Sequence, residues 1–327
     1  SDSDGDGYND GLEIAADTNP LDDTDYQASP ERSALIALYN ATNGDGWSGG
    51  TGWKLPPLAA DGFALPGTEC TWDGVTCVGD ELTQLDLPGR NLNGIIPAEL
   101  QNLTGLTSLN LSDNALGGNI PREIGNLANL TLLDLSQNSL EGSIPPEIAS
   151  LSSLTYLDLG ANQLIGEVPA QIGNLSNLIQ LRLYNNQLNG DIPPAIGNIL
   201  SLTRLELGLN QFSGSLPVEI GNLVNLTHLN IYMNQLSGSI PAELGNMVNL
   251  NLVDIRSNQL SGVIPTEIAN LSNLQYINLS DNQLSGAIPS EISDLSNLQE
   301  INLSYNQLSG SIPTSIGDLI NLLSINL

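Results

Sequence analysis

Asp2, Asp4, Asp6, Gly7, Tyr8, Asp10 and Glu13 fall in the pattern D-x-D-x-D-G-x-x-D-x-x-E. Carboxylates at alternate positions bring hard oxygen ligands onto one cation, the glycine permits a sharp turn, and a closing glutamate binds through both oxygens. That chemistry is calcium binding, with Asp2, Asp4, Asp6, Asp10 and Glu13 as side-chain ligands and Tyr8 as a backbone one. Without a cation, so many carboxylates in a dozen residues would repel one another. Asp22, Asp23 and Asp25 either begin a second such site or complete the first, but they lack the full spacing. No nucleophile or general base stands near the loop, so the calcium is expected to be structural.

Elsewhere, residues able to do chemistry are scarce. His228 is the one histidine, and Cys70 and Cys77 are the two cysteines. No glycine-rich phosphate cradle is present, and the carboxylates are expected to lack a paired, desolvated setting. No enzymatic role is expected for this chain.

What must position any site is a repeat. From Leu82 the same 24 residues recur ten times in register, as L-x-x-L-x-L-x-x-N-x-L-x-G-x-I-P-x-x-I-x-x-L-x-x, and an eleventh copy stops at Leu327. One such unit cannot bury its apolar side alone, but stacked units share a continuous core. The leg L-x-x-L-x-L alternates like a half-buried strand, so stacked copies form a parallel sheet with strands about 4.8 Å apart. Asparagine at the ninth position, from Asn114 to Asn306, supports the turn by satisfying backbone groups, and Arg90 replaces it in the first copy. Glycine at the thirteenth position and the following Ile-Pro (Ile120-Pro121, Ile240-Pro241) turn and extend the chain. A short helical turn such as Glu219–Leu223 closes the coil.

The L-x-G-x-I-P segment resembles the plant-type leucine-rich repeat family, which includes receptor-like kinase ectodomains and polygalacturonase-inhibiting proteins. The resemblance covers 82–327 and implies a right-handed, curved α/β solenoid with a parallel concave sheet. Residues 27–81 resemble that family's N-terminal cap, with a helix start at Ser29-Pro30-Glu31, an apolar set at Leu35, Ile36, Leu38 and Tyr39, and turns bearing Trp47 and Trp53. Cys70-Thr71-Trp72-Asp73-Gly74-Val75-Thr76-Cys77 matches the family's C-x-W-x-G-V-x-C stretch. A Cys70–Cys77 disulfide is expected there, because zinc would need further ligands and His228 is remote. Such a bond implies an oxidising compartment. Residues 1–26 resemble the calcium loops of dockerins and thrombospondin type 3 repeats, which points to a bacterial surface protein.

The displayed strand positions are the second, third, fifth, seventh and eighth of each copy. They hold Tyr156, Tyr184, Tyr232, Tyr276 and Tyr305, five of eight tyrosines, and Arg182, Arg204 and Arg256, three of seven basic residues, together with His228 and Met233. Aromatic and arginine residues clustered on one face are common makings of a binding hot spot. The early copies are acidic there instead, at Asp86, Asp113, Asp134 and Asp158. The arginines are expected to draw a neutral or acidic protein or polysaccharide partner. The competing reading is strand decoration: Arg182 pairs with Glu206 on the next strand, Arg256 stacks on Tyr232, and His228 is merely solvated. A second file, Thr83, Thr107, Thr131, Thr155, Thr203 and Thr227, is conceivable as an ice-binding array, although Ile179 interrupts it.

A net charge of −29 argues against nucleic acid and anionic membranes. No segment approaches the ~20 apolar residues of a membrane span. Copy eleven ends within a strand, so a longer parent chain is expected, at the cell surface or outside the cell. Nine N-x-S/T sequons occur, but the repeat generates N-L-S/T by itself. The leading expectation is an extracellular recognition or adhesion module. The alternatives are an inhibitor of a cell-wall hydrolase, a passive spacer in a large surface protein, and ice binding. Calorimetric titration of the chelated protein with calcium is expected to show at least one site that Asp6→Ala abolishes. A flat titration would sink the calcium reading.

Overall fold

The computed structural model describes residues 29–327. The acidic loop with Asp2, Asp4, Asp6, Tyr8, Asp10 and Glu13, and the group Asp22, Asp23 and Asp25, lie outside the described residues.

The cap begins with an α-helix over Pro30–Ala41. The Ser29 hydroxyl accepts from the Arg32 amide at 3.1 Å, and Pro30 occupies the first turn, where no amide is needed. Leu35, Leu38 and Tyr39 are buried, while Ile36 packs only partly against the core. Tyr39 meets Trp47, Phe63 and Trp53 at ring-centroid distances of 5.0, 5.1 and 5.6 Å, and Trp53 meets Trp72 at 4.8 Å. Each buried indole N–H near the helix finds a carbonyl: Trp47 donates to Thr42 and Trp53 to Asp73. Arg32 is buried beneath this cluster, held by Asp61 and Glu69 and lying over Trp72. Cys70 and Cys77 form a disulfide, with Cα atoms 5.5 Å apart.

The cap hands its chain to a 12-stranded sheet. Val75–Val78 runs antiparallel to Glu81–Asp86, and every later pairing in that sheet is parallel and in register. From the second copy on, each strand is three residues long, and through the tenth copy it puts its middle side chain into the core, as Leu205, Leu229 and Val253 do. The opposite side of each coil is a five-residue 3-10 helix, for example Val218–Asn222. A proline precedes each of these helices, and the last bond closes at i to i+3, as from the Leu223 amide to the Ile220 carbonyl. Five residues leave no space for a full α-helical turn network.

The ninth-position asparagine reaches further than its own turn. Asn234 donates through Nδ2 to Leu207 O, Ile231 O and Tyr232 O at 3.1, 3.1 and 3.3 Å, and its Oδ1 accepts from the Phe212 amide at 3.0 Å. Leu207 and Phe212 belong to the preceding coil, so one buried side chain bolts two coils together. The same set recurs from Asn114 to Asn306. In the first copy Arg90 does a related job toward the cap, pairing with Asp73 at 3.1 Å and donating to Ser48 O. A second, exposed asparagine file at the last position of the repeat makes a single bond per coil, as Asn225 does to Leu200 O.

One expectation needs correction. The eighth position is not a strand position: Asp113, Gln137, Ala161, Asn185, Leu209, Met233, Ser257, Asp281 and Tyr305 all have φ between 52° and 58°. Nine non-glycine residues thus sit in the left-handed region, each at a cost of roughly 1–2 kcal/mol that the ladders on either side must offset. Met233 therefore projects from a turn.

Asn234→Ala is expected to lower stability by at least about 3 kcal/mol, because four buried backbone groups lose their partner at roughly 1–3 kcal/mol each. Asn225→Ala, at the exposed file, is expected to cost under about 1 kcal/mol. Denaturant unfolding midpoints at unchanged slope compare the two.

Candidate ligand-binding face

Parallel register turns the 24-residue period into lateral files. Tyr156, Gln180, Arg204, His228, Leu252 and Tyr276 are neighbours in one file at the third position. Asp134, Asp158, Arg182, Glu206, Asn230 and Asp254 form the next at the fifth position. Gly160, Tyr184, Gly208, Tyr232 and Arg256 follow at the seventh.

The three arginines are all engaged. Arg182 lies 3.5 Å from Asp158 and 3.8 Å from Glu206, and covers the Tyr156 ring at 5.5 Å. Arg204 pairs with Glu206 at 2.8 Å. Arg256 pairs with Asp254 at 3.4 Å and stacks on Tyr232 at 4.9 Å. The pairing of Arg182 with Glu206 and the stacking of Arg256 on Tyr232 agree with the sequence reading. Carboxylates of the same sheet already claim each guanidinium, which argues against free positive charge as the attraction for an acidic partner.

The carboxylates give a second correction. They were expected to lack a desolvated, paired setting, yet Asp158 is 3% and Asp254 6% exposed. Burial pushes the Asp158 carboxyl above the usual range and the neighbouring Asp134 pushes the same way, against the Gly160 amide and Arg182. Burial likewise raises Asp254, with Arg256 opposing it. His228 is lowered by burial and by Arg204, so it is neutral at pH 7, and its Nδ1 meets the Thr227 hydroxyl at 2.8 Å.

The tyrosines are held as flat shelves. A Cβ on Gly160 would lie 2.3 Å from the Tyr184 ring, and one on Gly208 would lie 2.5 Å from the Tyr232 ring. Each ring therefore rests on the bare backbone of the preceding coil, and Tyr232 is covered from the other side by Arg256. Among the predicted residues, Tyr156, Arg182, Tyr184, Arg204, His228, Tyr232 and Arg256 form one continuous patch. Tyr276 stands at its edge beyond Leu252, its hydroxyl taking a bond from Asn278 at 3.0 Å. Met233 borders the patch and is half exposed. Sequence reasoning missed Gly160, Gly208, Gln180 and Asn230, and it placed Asp158 on the face without its burial. The alternation of glycine and tyrosine at the seventh position was the available signal. Gln180 Oε1, Arg182 Nε and Asn230 Oδ1 are buried in this patch without a hydrogen-bond partner.

The repeat unit matches family profiles described as a leucine-rich repeat region over residues 146–262 and as leucine-rich repeats over 119–164, 248–308 and 105–127. The chain is similar across nearly its whole length to a plant ice-binding protein of known structure, at 30% identity, covering 88% of this chain and 89% of that one with a TM-score of 0.72. It is a leucine-rich repeat protein. This leucine-rich repeat chain also resembles the Arabidopsis receptor kinase HAESA, solved with a peptide hormone and a co-receptor, at 33% identity, 90% of this chain, 49% of that one and a TM-score of 0.77. A leucine-rich repeat protein of Leptospira interrogans is 29% identical over 90% of this chain and 86% of its own, with a TM-score of 0.56. The chain spans between 36% and 50% of the length of the plant receptor structures it matches. Residues 2–23 match a profile described as a bacterial TSP3 repeat. No curated protein matches significantly.

Because its carboxyl is lifted, Asp158 takes up a proton in the native state at a pH where the unfolded chain has already lost it. The stability this gives is present in acid and is lost as the pH rises through the raised value. Asp158→Asn, which keeps an acceptor for the Gly160 amide and leaves Glu206 to Arg182, is expected to raise Tm near neutral pH. The gain should shrink as the pH falls, and thermal melts across that range check it.

Proposed function

We propose that this leucine-rich repeat chain is an extracellular recognition module that takes a peptide or a segment of a partner protein on its concave face, with structural calcium in residues 1–13. The observation carrying this is the set of immobilised tyrosines. Tyr184 and Tyr232 offer large apolar area whose ordering is already complete before a ligand arrives, which lowers the entropic cost of binding. The arginines beside them are internally neutralised, so they present flat, stacked guanidinium surfaces and hydrogen-bond donors instead of free positive charge. The titratable groups of the face are spent on one another, which favours binding over catalysis. A polysaccharide partner, a hydrolase-inhibitor role and a passive spacer compete with this reading.

The partner is neutral to basic, given the net charge of −29 and the paired arginines. Added salt should therefore weaken binding by screening the attraction. Random peptides displayed on phage and panned against the protein should yield binders that Arg204→Ala with Tyr232→Ala weakens by at least about 30-fold, near 2 kcal/mol. The melting temperature should change little, since both side chains lie outside the core. Binders that ignore the double substitution would move the site off this face. A second reading, ice binding, is favoured by the likeness to a plant ice-binding protein and by the threonine file from Thr83 to Thr227. Thermal hysteresis lost on Thr131→Ala with Thr155→Ala would support that reading in its place.

A further inference from the structure

Thr227 fixes where the proton sits on its neighbour His228. The Thr227 hydroxyl donates to the Thr203 carbonyl at 2.9 Å, as the Thr107, Thr131, Thr155 and Thr203 hydroxyls each do to the coil before them. A carbonyl oxygen only accepts, and a hydroxyl has a single proton to give. The 2.8 Å contact between the same Thr227 oxygen and His228 Nδ1 is therefore donated by the imidazole. A neutral ring carries its proton on one nitrogen and a bare lone pair on the other, so Nε2 is left as an acceptor. It has no partner among the described residues, and it is not one of the buried unpartnered atoms of the face. The surroundings keep the ring neutral. Arg204 stands beside His228 on the preceding strand, with Glu206 further along, and Leu252 stands beside it on the following strand, with Asp254 beyond. Glu206 is held by Arg204, Asp254 by Arg256, and Arg256 covers the Tyr232 ring, so no carboxylate is left over to stabilise an imidazolium.

We propose that His228 Nε2 accepts a hydrogen bond from an uncharged N–H or O–H of the bound segment, and that acid abolishes this bond by turning the acceptor into a donor. This deepens, and rests on, the recognition reading above. A bound backbone has both carbonyls and amides to satisfy. Neighbouring strands here present both complements side by side, a guanidinium with donors to spare at Arg204 and a bare imidazole nitrogen at His228. An acceptor placed opposite Nε2 would face a lone pair with no proton between them, so the residue selects as well as binds. Burial and the Arg204 charge lower the basicity of the ring, against Glu206, which keeps the acceptor available at neutral pH.

His228 is the one histidine of the chain, so its ring nitrogens can be read without ambiguity. In protein carrying isotope-labelled histidine, long-range proton–nitrogen NMR spectra at neutral pH should show Nδ1 protonated and Nε2 bare. Thr227→Val should remove that preference. A parent ring protonated at Nε2 would overturn the proposal before any ligand is tried. The binding probes are the phage-panned peptides, titrated against the parent and two variants. Parent affinity should hold at neutral pH and fall at least about tenfold as acid protonates the imidazole, below its usual value near 6.5. His228→Gln, whose side-chain oxygen accepts but does not titrate, should bind with little dependence on pH. His228→Phe, which has no acceptor, should bind at least about tenfold more weakly even at neutral pH. Affinity indifferent to His228→Phe, or an acid loss that His228→Gln retains in full, would overturn the assignment. If the same peptides still require Tyr232 and Arg204, such a result removes only the role of His228. If they do not, the recognition reading falls first.

Discussion

The solenoid depends on one side chain used nine times. An asparagine amide has two donors and an acceptor, and at Asn114 through Asn306 these answer carbonyls of its own turn, a carbonyl of the coil before it and an amide of that coil. Turns in the middle of a protein are costly because their backbone groups point in directions no neighbouring strand can meet. Here the cost is met from within, so the chain can turn at the same depth in every coil. The nine residues held with positive φ immediately before the asparagine show how far that support extends, since most of them are types that rarely adopt such a conformation.

With the backbone settled this way, the displayed positions are free to vary, and in the central copies they carry a self-neutralising network. Arg182, Arg204 and Arg256 each meet a carboxylate of the same sheet, and two of them lie over tyrosines. Such a surface selects by shape and hydrogen bonding, with charge acting mainly through the chain's overall acidity. That combination suits a ligand drawn in at long range by its basic groups and discriminated at contact by flat rings.

Much of this was legible from the residues. The repeat length converts an offset of 24 into side-by-side contact, which is why Arg182 could be placed against Glu206 and Arg256 against Tyr232 before any coordinates. The cap was readable from Ser29-Pro30 and the cysteine stretch. Depth was not readable: Asp158 and Asp254 look like ordinary surface acids, and only the packing of side chains around them in the stacked coils buries them. The left-handed turn was hidden because Leu209, Met233 and Tyr305 carry no turn signature. The reach of asparagine into the preceding coil was hidden because a turn residue ordinarily serves its own turn.

The resting of Tyr184 on Gly160, and of Tyr232 on Gly208, has a bearing on how such a surface can be inherited or rebuilt. A ring contributed by one coil needs a missing side chain in the coil before it, so neither residue has its effect alone. Duplicating or grafting a single copy would separate the two and drop a tyrosine onto a bulky neighbour. The smallest module that carries the shelf intact is a pair of consecutive coils, and recombination or design that respects that pairing can multiply or transplant the aromatic surface without touching the asparagine ladder beneath it.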